Sequence, residues 1–457
     1  MIGPNYYSYR DDVARVVKKE FGWHRYVFNS YKDEYDHLIR SGLYKDLIEK
    51  DLLIPHEQVE IDVSDPNVYK LIRPKQIQFQ SYPFEWSYRQ WRKSMLAFLE
   101  INLIALKYGM ILKDGTPFNF YLINGKSLLL DTSSFMFFKK NDFWVAYLQF
   151  CEEFLSPVAL MHFNGLNWGT ITRTNLRGLH LAFVSKQLSW RSWLNPTCLF
   201  HIHCHSRYSN ADESSAKKKP QNGFDTEKLS SLLTMIKSTV LSWDKPYQFK
   251  NHWSGYYEND VESENYLICK EKVFSDWLSN TNPKTLIDLG ANTGKFSILA
   301  AKQTDYVIAL EKDENCVDKI EGEIEKGSLG NITALIGDLA ETTPDSGVLN
   351  REYISIYTRG RSEMVIGLAL IHHLCIAMNI SINQLAEMFA QFATKFAIVE
   401  FIPKEDKKVI QLLRNRKDVF KEYNEDNFIS AFSIYFDLLK VEQLDDSKRK
   451  VFLWKKK

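Results

Sequence analysis

The feature that most constrains the fold is an alternation of short apolar segments with helical segments in the C-terminal part of the chain. Seven segments have strand length and apolar character, and the first five are separated by stretches with helical spacing: TLIDLG, YVIALE, ITALIGD, MVIGLAL, FAIVEF, DLLKVEQL and KVFLWKK. Strands that alternate with helices form mostly parallel sheets that are covered on both faces. Only a few polar residues separate the last two segments, which predicts an antiparallel hairpin at one edge. The pattern therefore predicts an α/β domain with a Rossmann-like, seven-stranded sheet and helices on both faces.

A glycine-containing turn follows the first of these strands, in the stretch LIDLGANTGKFSILAA. Gly290 and Gly294 would let the backbone approach a ligand closely, and the helix that follows offers backbone N–H groups. A dinucleotide-binding turn has the spacing G-x-G-x-x-G, whereas here the spacing is G-x-x-x-G and Asp288 lies two residues before the first glycine. This difference disfavours NAD. A plain connection between strand and helix is the alternative for the turn taken alone.

Acidic residues at the ends of the next two strands argue against a plain connection. Glu311 ends the second strand, where a carboxylate can accept hydrogen bonds from both hydroxyls of a ribose. Asp338 follows the third strand, at the expected position of an adenine ring. Because the carboxyl ends of parallel strands share one edge of the sheet, the turn and both acids predict one nucleoside-binding site.

The turn and the strand ends resemble motif I and the cofactor site of the class I S-adenosylmethionine-dependent methyltransferases. Longer stretches resemble the nodulation-protein-like bacterial methyltransferases that carry a kinase-like N-terminal domain; they include SYPFEWSYRQW, GMILKDGTPFN, GLALIHHLCIAMNISINQLAEMFAQF and AIVEFIPKEDKKV. This resemblance covers most of the chain and implies S-adenosyl-L-methionine as the cofactor. It implies cofactor contacts for Asp288, Gly290, Ala291, Asn292, Gly294, Phe296, Glu311, Asp338, Leu339 and Tyr257. Tyr257 could equally be a core aromatic residue, and the resemblance does not identify the methyl acceptor.

Three side chains near the ends of the fourth and fifth strands are candidates for a catalytic base. His372 and His373 follow the fourth strand, and Glu400 lies near the end of the fifth. A histidine can accept a proton near neutral pH, but either ring could instead cap the following helix or pack on the cofactor. Glu400 could instead hold backbone amides or a tyrosine. The stretch LIHHL differs from the N/D-P-P-Y type typical of amine methylation, so O-methylation is favoured.

The N-terminal half contains a pattern that is typical of kinase active sites. Asp114, Asn119 and Asp131 have roughly the spacing of a catalytic aspartate and the two metal-binding residues of a kinase. A glycine-rich loop and a V-A-I-K strand are absent from this part of the sequence, and Arg25 stands where a lysine would be expected. We therefore expect an α+β, degenerate kinase-like domain that shapes or presents the acceptor. A bifunctional methyltransferase and phosphotransferase that uses Mg-ATP is an alternative, and a non-catalytic cofactor-binding module is another.

A polar segment separates the two halves. Residues 206–225 are rich in Ser, Lys, Asn and Pro and have few apolar residues, which predicts a linker. The predicted organisation is a kinase-like domain over 1–205, a linker over 206–224 and a methyltransferase domain over 225–457. Before the linker, paired strands with a turn near Glu20–Gly22, a helical stretch, a long helix ending at Gly109 and a hairpin with its turn at Asn124–Gly125 are predicted.

Composition places limits on the partners and on the cell compartment. The net charge of +1 argues against a global attraction to nucleic acid, and no apolar run has the length of a membrane span. Six cysteines without paired spacing indicate reduced thiols and a cytoplasmic protein.

His201, His203 and His205 would share a face of a strand, but three ligands in a line do not enclose a metal ion, so no metal is predicted. A small molecule or a glycan precursor is the favoured acceptor.

Overall fold

The computed structural model describes residues 11–60, 65–165, 169–209, 223–244, 264–327, 329–414, 418–444 and 448–457. The chain forms two compact units. Unit 1 comprises Met1–Phe249 and Asp345–Tyr353, and unit 2 comprises Lys250–Pro344 and Ile354–Lys457.

In the described part of unit 1, the strands form a four-stranded sheet and two small ribbons. The sheet has the order β1-β2-β4-β3 and is antiparallel, with β1 Ala14–Lys19, β2 Gly22–Phe28, β3 His56–Val59 and β4 Val68–Pro74. The ribbons pair β5 Met110–Leu112 with β8 Phe135–Phe137, and β6 Phe120–Ile123 with β7 Lys126–Leu129. The hairpins predicted at Glu20–Gly22 and at Asn124–Gly125 are therefore confirmed.

The helices of unit 1 enclose an aromatic-rich core around one long helix. The α-helices span Lys32–Arg40, Leu43–Glu49, Tyr88–Lys107, Tyr147–Phe150, Ser156–Asn164, Leu181–Gln187, Pro196–Cys198, His205–Ser209 and Thr226–Ser242. The helix Tyr88–Lys107 ends two residues before Gly109, as predicted, and buries Trp91, Phe98 and Ile101. At its start, Gln90 Oε1 accepts the backbone amide of Ser87 at 2.9 Å, which satisfies an N–H group at the helix N-terminus.

Unit 1 extends past the boundary predicted at residue 225. The helix Thr226–Ser242 buries Leu229, Leu233, Ile236 and Val240, which recur on one face at helical spacing, in the same core as Tyr88–Lys107. Arg92 Nε, on the helix Tyr88–Lys107, donates to the Val240 carbonyl at 2.9 Å, so a hydrogen bond also joins the two helices. The ends of the predicted linker are also ordered, since residues 206–209 are helical and Phe224 pairs with Asp142; residues 210–222 lie outside the described part.

The described strands of unit 2 form a seven-stranded sheet of order β11-β10-β9-β12-β13-β15-β14. The strands are β9 Thr285–Leu289, β10 Tyr306–Glu311, β11 Ile332–Ile336, β12 Ser362–Gly367, β13 Ala393–Phe401, β14 Phe436–Gln443 and β15 Lys450–Lys456. The first five are parallel, and β15 runs antiparallel between β13 and β14. The predicted parallel sheet and the hairpin at its edge are both confirmed.

Helices connect the parallel strands of unit 2. They span Glu264–Thr281, Lys295–Ala301, Glu314–Gly327, Ile356–Arg359, Ile382–Phe392, Lys407–Leu413 and Glu425–Ser433. Strands β9, β10 and β11 are buried along almost their whole length, as expected for strands with helices on both faces. The topology brings the carboxyl ends of β9, β10, β11, β12 and β13 to one edge, which is where such sheets bind ligands. Among the described residues, no helix has both the length and the apolar character needed to cross a membrane.

Candidate active site

The glycine turn after β9 lies next to the end of β10. The amides of Gly290 and Ala291 donate to the Leu310 carbonyl, at 2.9 and 3.1 Å. Gly290 and Gly294 have φ values of +73° and +80°, in the left-handed region that favours glycine. A Cβ atom at Gly294 would lie 2.7 Å from Ile320 Cγ1, so this position also lacks room for a side chain. The turn therefore presents backbone rather than side chains at the edge of the sheet.

Glu311 links this turn to β10. Its carboxylate accepts the Asn292 amide at 2.7 Å and the Asp313 amide at 2.9 Å. Burial raises the pKa of Glu311, and the backbone amides oppose that rise. Each carboxylate oxygen has a further lone pair, so the oriented group can accept additional hydrogen bonds from a ligand.

Asp288 is buried beneath the turn. Ser297 Oγ donates to its Oδ2 at 2.6 Å, from the helix that follows the turn. Burial raises the pKa of Asp288 to about 7, with a smaller raising effect from the charge of Glu311. Asp288 therefore titrates close to neutral pH, where a positively charged ligand nearby would favour its ionised form.

The other residues implied as cofactor contacts are spread over the same edge and the core beneath it. Asp338 pairs with Lys312 at 2.6 Å and accepts the Ala340 amide at 2.9 Å, while Leu339 and Ala291 are buried. Phe296 packs edge-on against Phe274 in the core of unit 2. Tyr257 lies outside the described residues.

A strained turn follows β12. Ala369 has a φ of +54°, which costs a residue with a side chain about 1–2 kcal/mol. Its amide donates to Glu400 Oε2 at 2.8 Å. Leu370, the next residue, packs against the glycine turn, since a Cβ at Gly290 would lie 2.9 Å from Leu370 Cδ1. The ends of β9, β12 and β13 therefore meet at this point.

Glu400 is fully buried and satisfied by three donors. Besides the Ala369 amide, it accepts a hydrogen bond from Tyr266 Oη and pairs with Lys270 Nζ at 2.6 Å. Arg449 extends the network, because it donates to Tyr266 Oη at 3.1 Å and pairs with Asp406. This geometry matches the alternative in which Glu400 holds a backbone amide and a tyrosine.

Burial favours the neutral form of both histidines of the candidate site, of which His372 is buried and His373 partly buried. His372 is fully buried, and neither of its ring nitrogens has a hydrogen-bond partner within the described residues. Its ring centroid lies 4.0 Å from that of His373, which is less buried. Burial holds the pKa of His372 well below its ordinary value and lowers the pKa of His373 to about 4. A histidine with such a low pKa accepts a proton weakly.

The kinase-like triad of unit 1 converges on one serine. Ser134 Oγ donates to Asp131 Oδ2 at 2.8 Å, and Asn119 Nδ2 donates to Ser134 Oγ at 3.2 Å. Asp114 also contacts the Ser134 side chain, and burial raises the pKa of Asp114. Three residues separated by up to seventeen positions in the sequence thus lie around one serine side chain.

Arg25 pairs with the Asp131 carboxylate in the cluster around Ser134. It forms an ion pair with Asp131 and donates to Ser133 Oγ at 3.1 Å. Since the guanidinium is always charged, it neutralises the group that would bind a metal ion in a kinase. Among the described residues, no group of three or more acidic, histidine or cysteine side chains is arranged to hold a metal ion.

The prediction that His201, His203 and His205 share a strand is wrong. Leu199–Cys204 is a π-helix, and His205 begins an α-helix. His203 lies 2.8 Å from the hydroxyls of both Ser185 and Ser192, and His201 lies 2.7 Å from Tyr147 Oη. These histidines pack into a helical core, where distant hydroxyl groups contact both ring nitrogens of His203 and one ring nitrogen of His201.

Several residues of the site were not found from the sequence. Lys270 and Tyr266 lie 130 and 134 positions from Glu400, and Ser297 and Arg449 are likewise ordinary polar residues in the sequence. No local pattern marks a residue whose partner is so distant. Only the tyrosine alternative considered for Glu400 pointed toward this network.

The fold and the site have the arrangement that the resemblance to the class I S-adenosylmethionine-dependent methyltransferases implies. The strand order with its inserted antiparallel strand, the glycine turn and the acidic end of β10 are the features that carry this likeness. The resemblance drawn from the sequence is also confirmed: the chain is similar to the nodulation protein NoeA of Rhizobium meliloti (strain 1021). The two are 28% identical over 386 residues, covering 82% of this chain and 80% of NoeA. No family model matches the chain.

Several solved methyltransferase structures resemble part of the chain. Magnesium protoporphyrin IX methyltransferase (ChlM) from Synechocystis PCC 6803, solved with bound SAH, matches 44% of this chain and 91% of its own, with 15% identity and a TM-score of 0.32. The N-methyltransferase NodS from Bradyrhizobium japonicum WM9 matches 43% and 99%, with 6% identity and a TM-score of 0.33. The bifunctional kinase-methyltransferase WbdD matches 44% and 41%, with 16% identity and a TM-score of 0.31.

Proposed function

We propose that the chain transfers a methyl group from S-adenosyl-L-methionine to an oxygen atom of a small molecule or a glycan precursor. The observation that carries the proposal is the meeting of the glycine turn with the end of β10, where the Asn292 and Asp313 amides hold the Glu311 carboxylate. When bound, the cofactor supplies a methyl group on an electrophilic sulfonium. The protein's own contribution is to bind and orient both partners.

The cofactor would lie along the ends of β9, β10 and β11. We assign the ribose hydroxyls to Glu311, whose remaining lone pairs can accept them. The glycine turn, with Asn292 in it, would contact the rest of the nucleoside through its backbone, and Asp338 and Leu339 would lie at the adenine. Asp288 would lie beneath the positively charged methionine part. Phe296 would support this site from the core, and Tyr257 stays a predicted contact.

The acceptor would lie over the turn after β12. The three predicted catalytic residues, His372, His373 and Glu400, would have different roles there. His373 is the candidate base because it is less buried than His372; its pKa of about 4 makes it a weak base, but leaves the ring neutral and able to accept a proton at higher pH. His372 would pack behind it. Glu400 would act as a positioning residue, because its three donors hold the Ala369 turn and leave it buried. The absence of an N/D-P-P-Y stretch supports an oxygen rather than an amine as the acceptor atom.

Calorimetric titration with S-adenosyl-L-methionine tests the cofactor assignment. The wild-type protein should bind it, and Glu311→Gln should weaken binding by about tenfold or more, since hydrogen bonds to a charged group are worth roughly 1.5–3 kcal/mol. Glu323→Gln, on an exposed surface, is the control and should bind as the wild type does. Wild-type affinity in Glu311→Gln would refute the placement of the ribose. Turnover with any acceptor would exclude a non-catalytic cofactor-binding module.

We further infer that unit 1 has a kinase-like fold that shapes or presents the acceptor. Its antiparallel sheet followed by helices and the convergence of Asp114, Asn119 and Asp131 support this inference.

We also infer a reducing, cytoplasmic setting for the protein, which the six free cysteines support.

A phosphotransferase activity of unit 1 is a second candidate, favoured by the shared contact of that triad with Ser134. The ion pair between Arg25 and Asp131 opposes it, because it occupies the carboxylate that Mg-ATP would need. Titration with Mg-ATP decides between these alternatives. Binding that Asp131→Asn abolishes would support the activity, and the absence of binding would remove it.

A further inference from the structure

Unit 1 exposes a group of large apolar side chains on and beside one short helix. Trp190, Trp193 and Leu194 lie on the 3-10 helix Trp190–Leu194 and are 69%, 39% and 75% exposed, and Phe200 on the following π-helix is 58% exposed. We call these four residues the aromatic face. Isolated exposed apolar residues are ordinary on a protein surface, but a group of them marks an interaction site.

The aromatic face is held in place by buried contacts. The Trp193 ring stacks on His203 with the centroids 4.0 Å apart and the planes 8° apart. His203 is itself buried and fixed by the hydroxyls of Ser185 and Ser192. Because residues three apart in a 3-10 helix lie on the same side, Trp190 and Trp193 project together. Packing therefore fixes the Trp193 ring, and the helix geometry places Trp190 on the same side.

The surroundings of the aromatic face are basic. The guanidinium of Arg191 lies 5.9 Å from the Trp190 ring centroid, and that of Arg207 lies 5.4 Å from the Trp193 centroid. Lys186, on the preceding helix, is also exposed. The chain has 57 acidic residues among 457, yet none occurs between Glu153 and Asp212. The aromatic face thus combines exposed apolar rings with cations and no acidic residue from its own segment.

We propose that the aromatic face docks unit 1 on an anionic lipid surface. Tryptophan rings suit the boundary between headgroups and acyl chains, and arginine and lysine attract anionic headgroups. Leu194, the most exposed member, gains from contact with acyl chains and would gain nothing from phosphate groups. A symmetric contact between two copies would set the cations opposite one another, which disfavours self-association through this surface. The occupant is therefore a membrane surface, on which the protein lies without spanning it.

Cosedimentation of the full chain with lipid vesicles tests this proposal. One set of vesicles contains phosphatidylglycerol and phosphatidylcholine, and the other contains phosphatidylcholine alone. We expect binding to the anionic vesicles and little binding to the neutral ones. Trp190→Ala with Leu194→Ala should lower binding at least fivefold, and Arg191→Glu with Arg207→Glu at least tenfold. Two control variants lie outside the aromatic face: Leu438→Ala with Val441→Ala matches the apolar variant, and Lys302→Glu with Lys326→Glu matches the charge variant. Both should bind within twofold of the wild-type protein.

Circular dichroism and thermal melting establish whether each variant is folded. If the apolar variant is unfolded, the result of the charge variant is used instead, because that variant changes only exposed side chains. Absence of binding to anionic vesicles, or binding that neither face variant lowers more than its control, would overturn the proposal. Binding to single-stranded RNA that the face variants abolish, without vesicle binding, would assign the surface to nucleic acid instead. A dimer that Trp190→Ala with Leu194→Ala dissociates, without vesicle binding, would assign it to a second copy of the chain.

Discussion

The buried carboxylate of Glu400 accepts the backbone amide of Ala369 at 2.8 Å and so holds a residue with a φ of +54° at the end of β12. The same carboxylate pairs with Lys270, on the helix that precedes β9. Leu370, directly after Ala369, contacts the glycine turn and accepts the His373 amide at 3.0 Å. One buried charge therefore orders the turn that connects the proposed cofactor site to the histidine pair.

Glu400→Ala should destabilise the protein strongly. It leaves the Lys270 ammonium buried without its carboxylate, and breaking a buried ion pair costs about 3–5 kcal/mol. Glu400→Gln keeps an acceptor for the Ala369 amide and should cost less. Urea unfolding monitored by circular dichroism measures both values. The control is Glu323→Gln, which removes an exposed ion pair with Lys326 and should change the unfolding free energy by less than about 1 kcal/mol.

Gly294→Ala should lower both stability and cofactor affinity. An alanine at a φ of +80° costs about 1–2 kcal/mol, and its Cβ would lie 2.7 Å from Ile320 Cγ1. The matched control is Gly322→Ala on the helix Glu314–Gly327, where a Cβ meets nothing within 4 Å. That substitution should stabilise the protein by up to about 1 kcal/mol, because alanine favours a helix. Thermal melts and cofactor titrations of both variants check the contrast, and equal effects would contradict it.

Asp288 should make stability depend on pH between about pH 4 and pH 7. Its folded pKa is raised by burial to about 7, from 3.8 in the unfolded chain, so the folded state keeps a proton that the unfolded state has lost. This contribution is complete below about pH 4 and is lost as the pH rises through 7, and its size is at most about 4 kcal/mol. The difference in unfolding free energy between Asp288→Asn and wild type should therefore change across this range, in favour of the variant as the pH rises. Asp437→Asn on exposed β14 is the control, and a flat difference for Asp288→Asn would contradict the prediction.

Arg25→Gln should destabilise unit 1 by about 3 kcal/mol, the lower end of the range for a buried ion pair, because it leaves Asp131 in a largely buried site without its cation. Arg73→Gln removes a more exposed ion pair with Glu57 on the same sheet and should have little effect. Urea unfolding of the full chain compares the two variants. If both had the same small effect, the pair between Arg25 and Asp131 would not hold the cluster together.

The local features of the fold could be predicted from the sequence because each depends on residues close together in the chain. The apolar spacing of β9 to β13 indicates buried strands, and Asn124–Gly125 indicates a tight hairpin. The acids at the end of β10 and after β11 could be placed at one edge, since parallel strands end together. The prediction for the stretch around His201 was wrong, because alternation in a short segment is compatible with a helix whose polar groups find partners elsewhere.

The chain by itself determined the order of strands and helices, the glycine turn and the positions of the acidic residues along the sequence. Only the tertiary structure decided that Glu400 meets Lys270 and Tyr266, that Arg25 covers Asp131, and that Thr226–Ser242 packs in unit 1. The physical reason is that strand and turn preferences are local, whereas a buried charge selects its partners by proximity in space. Residues as far apart in the chain as Lys270 and Glu400, which are separated by 130 positions, acquire such partners only when the core closes around them.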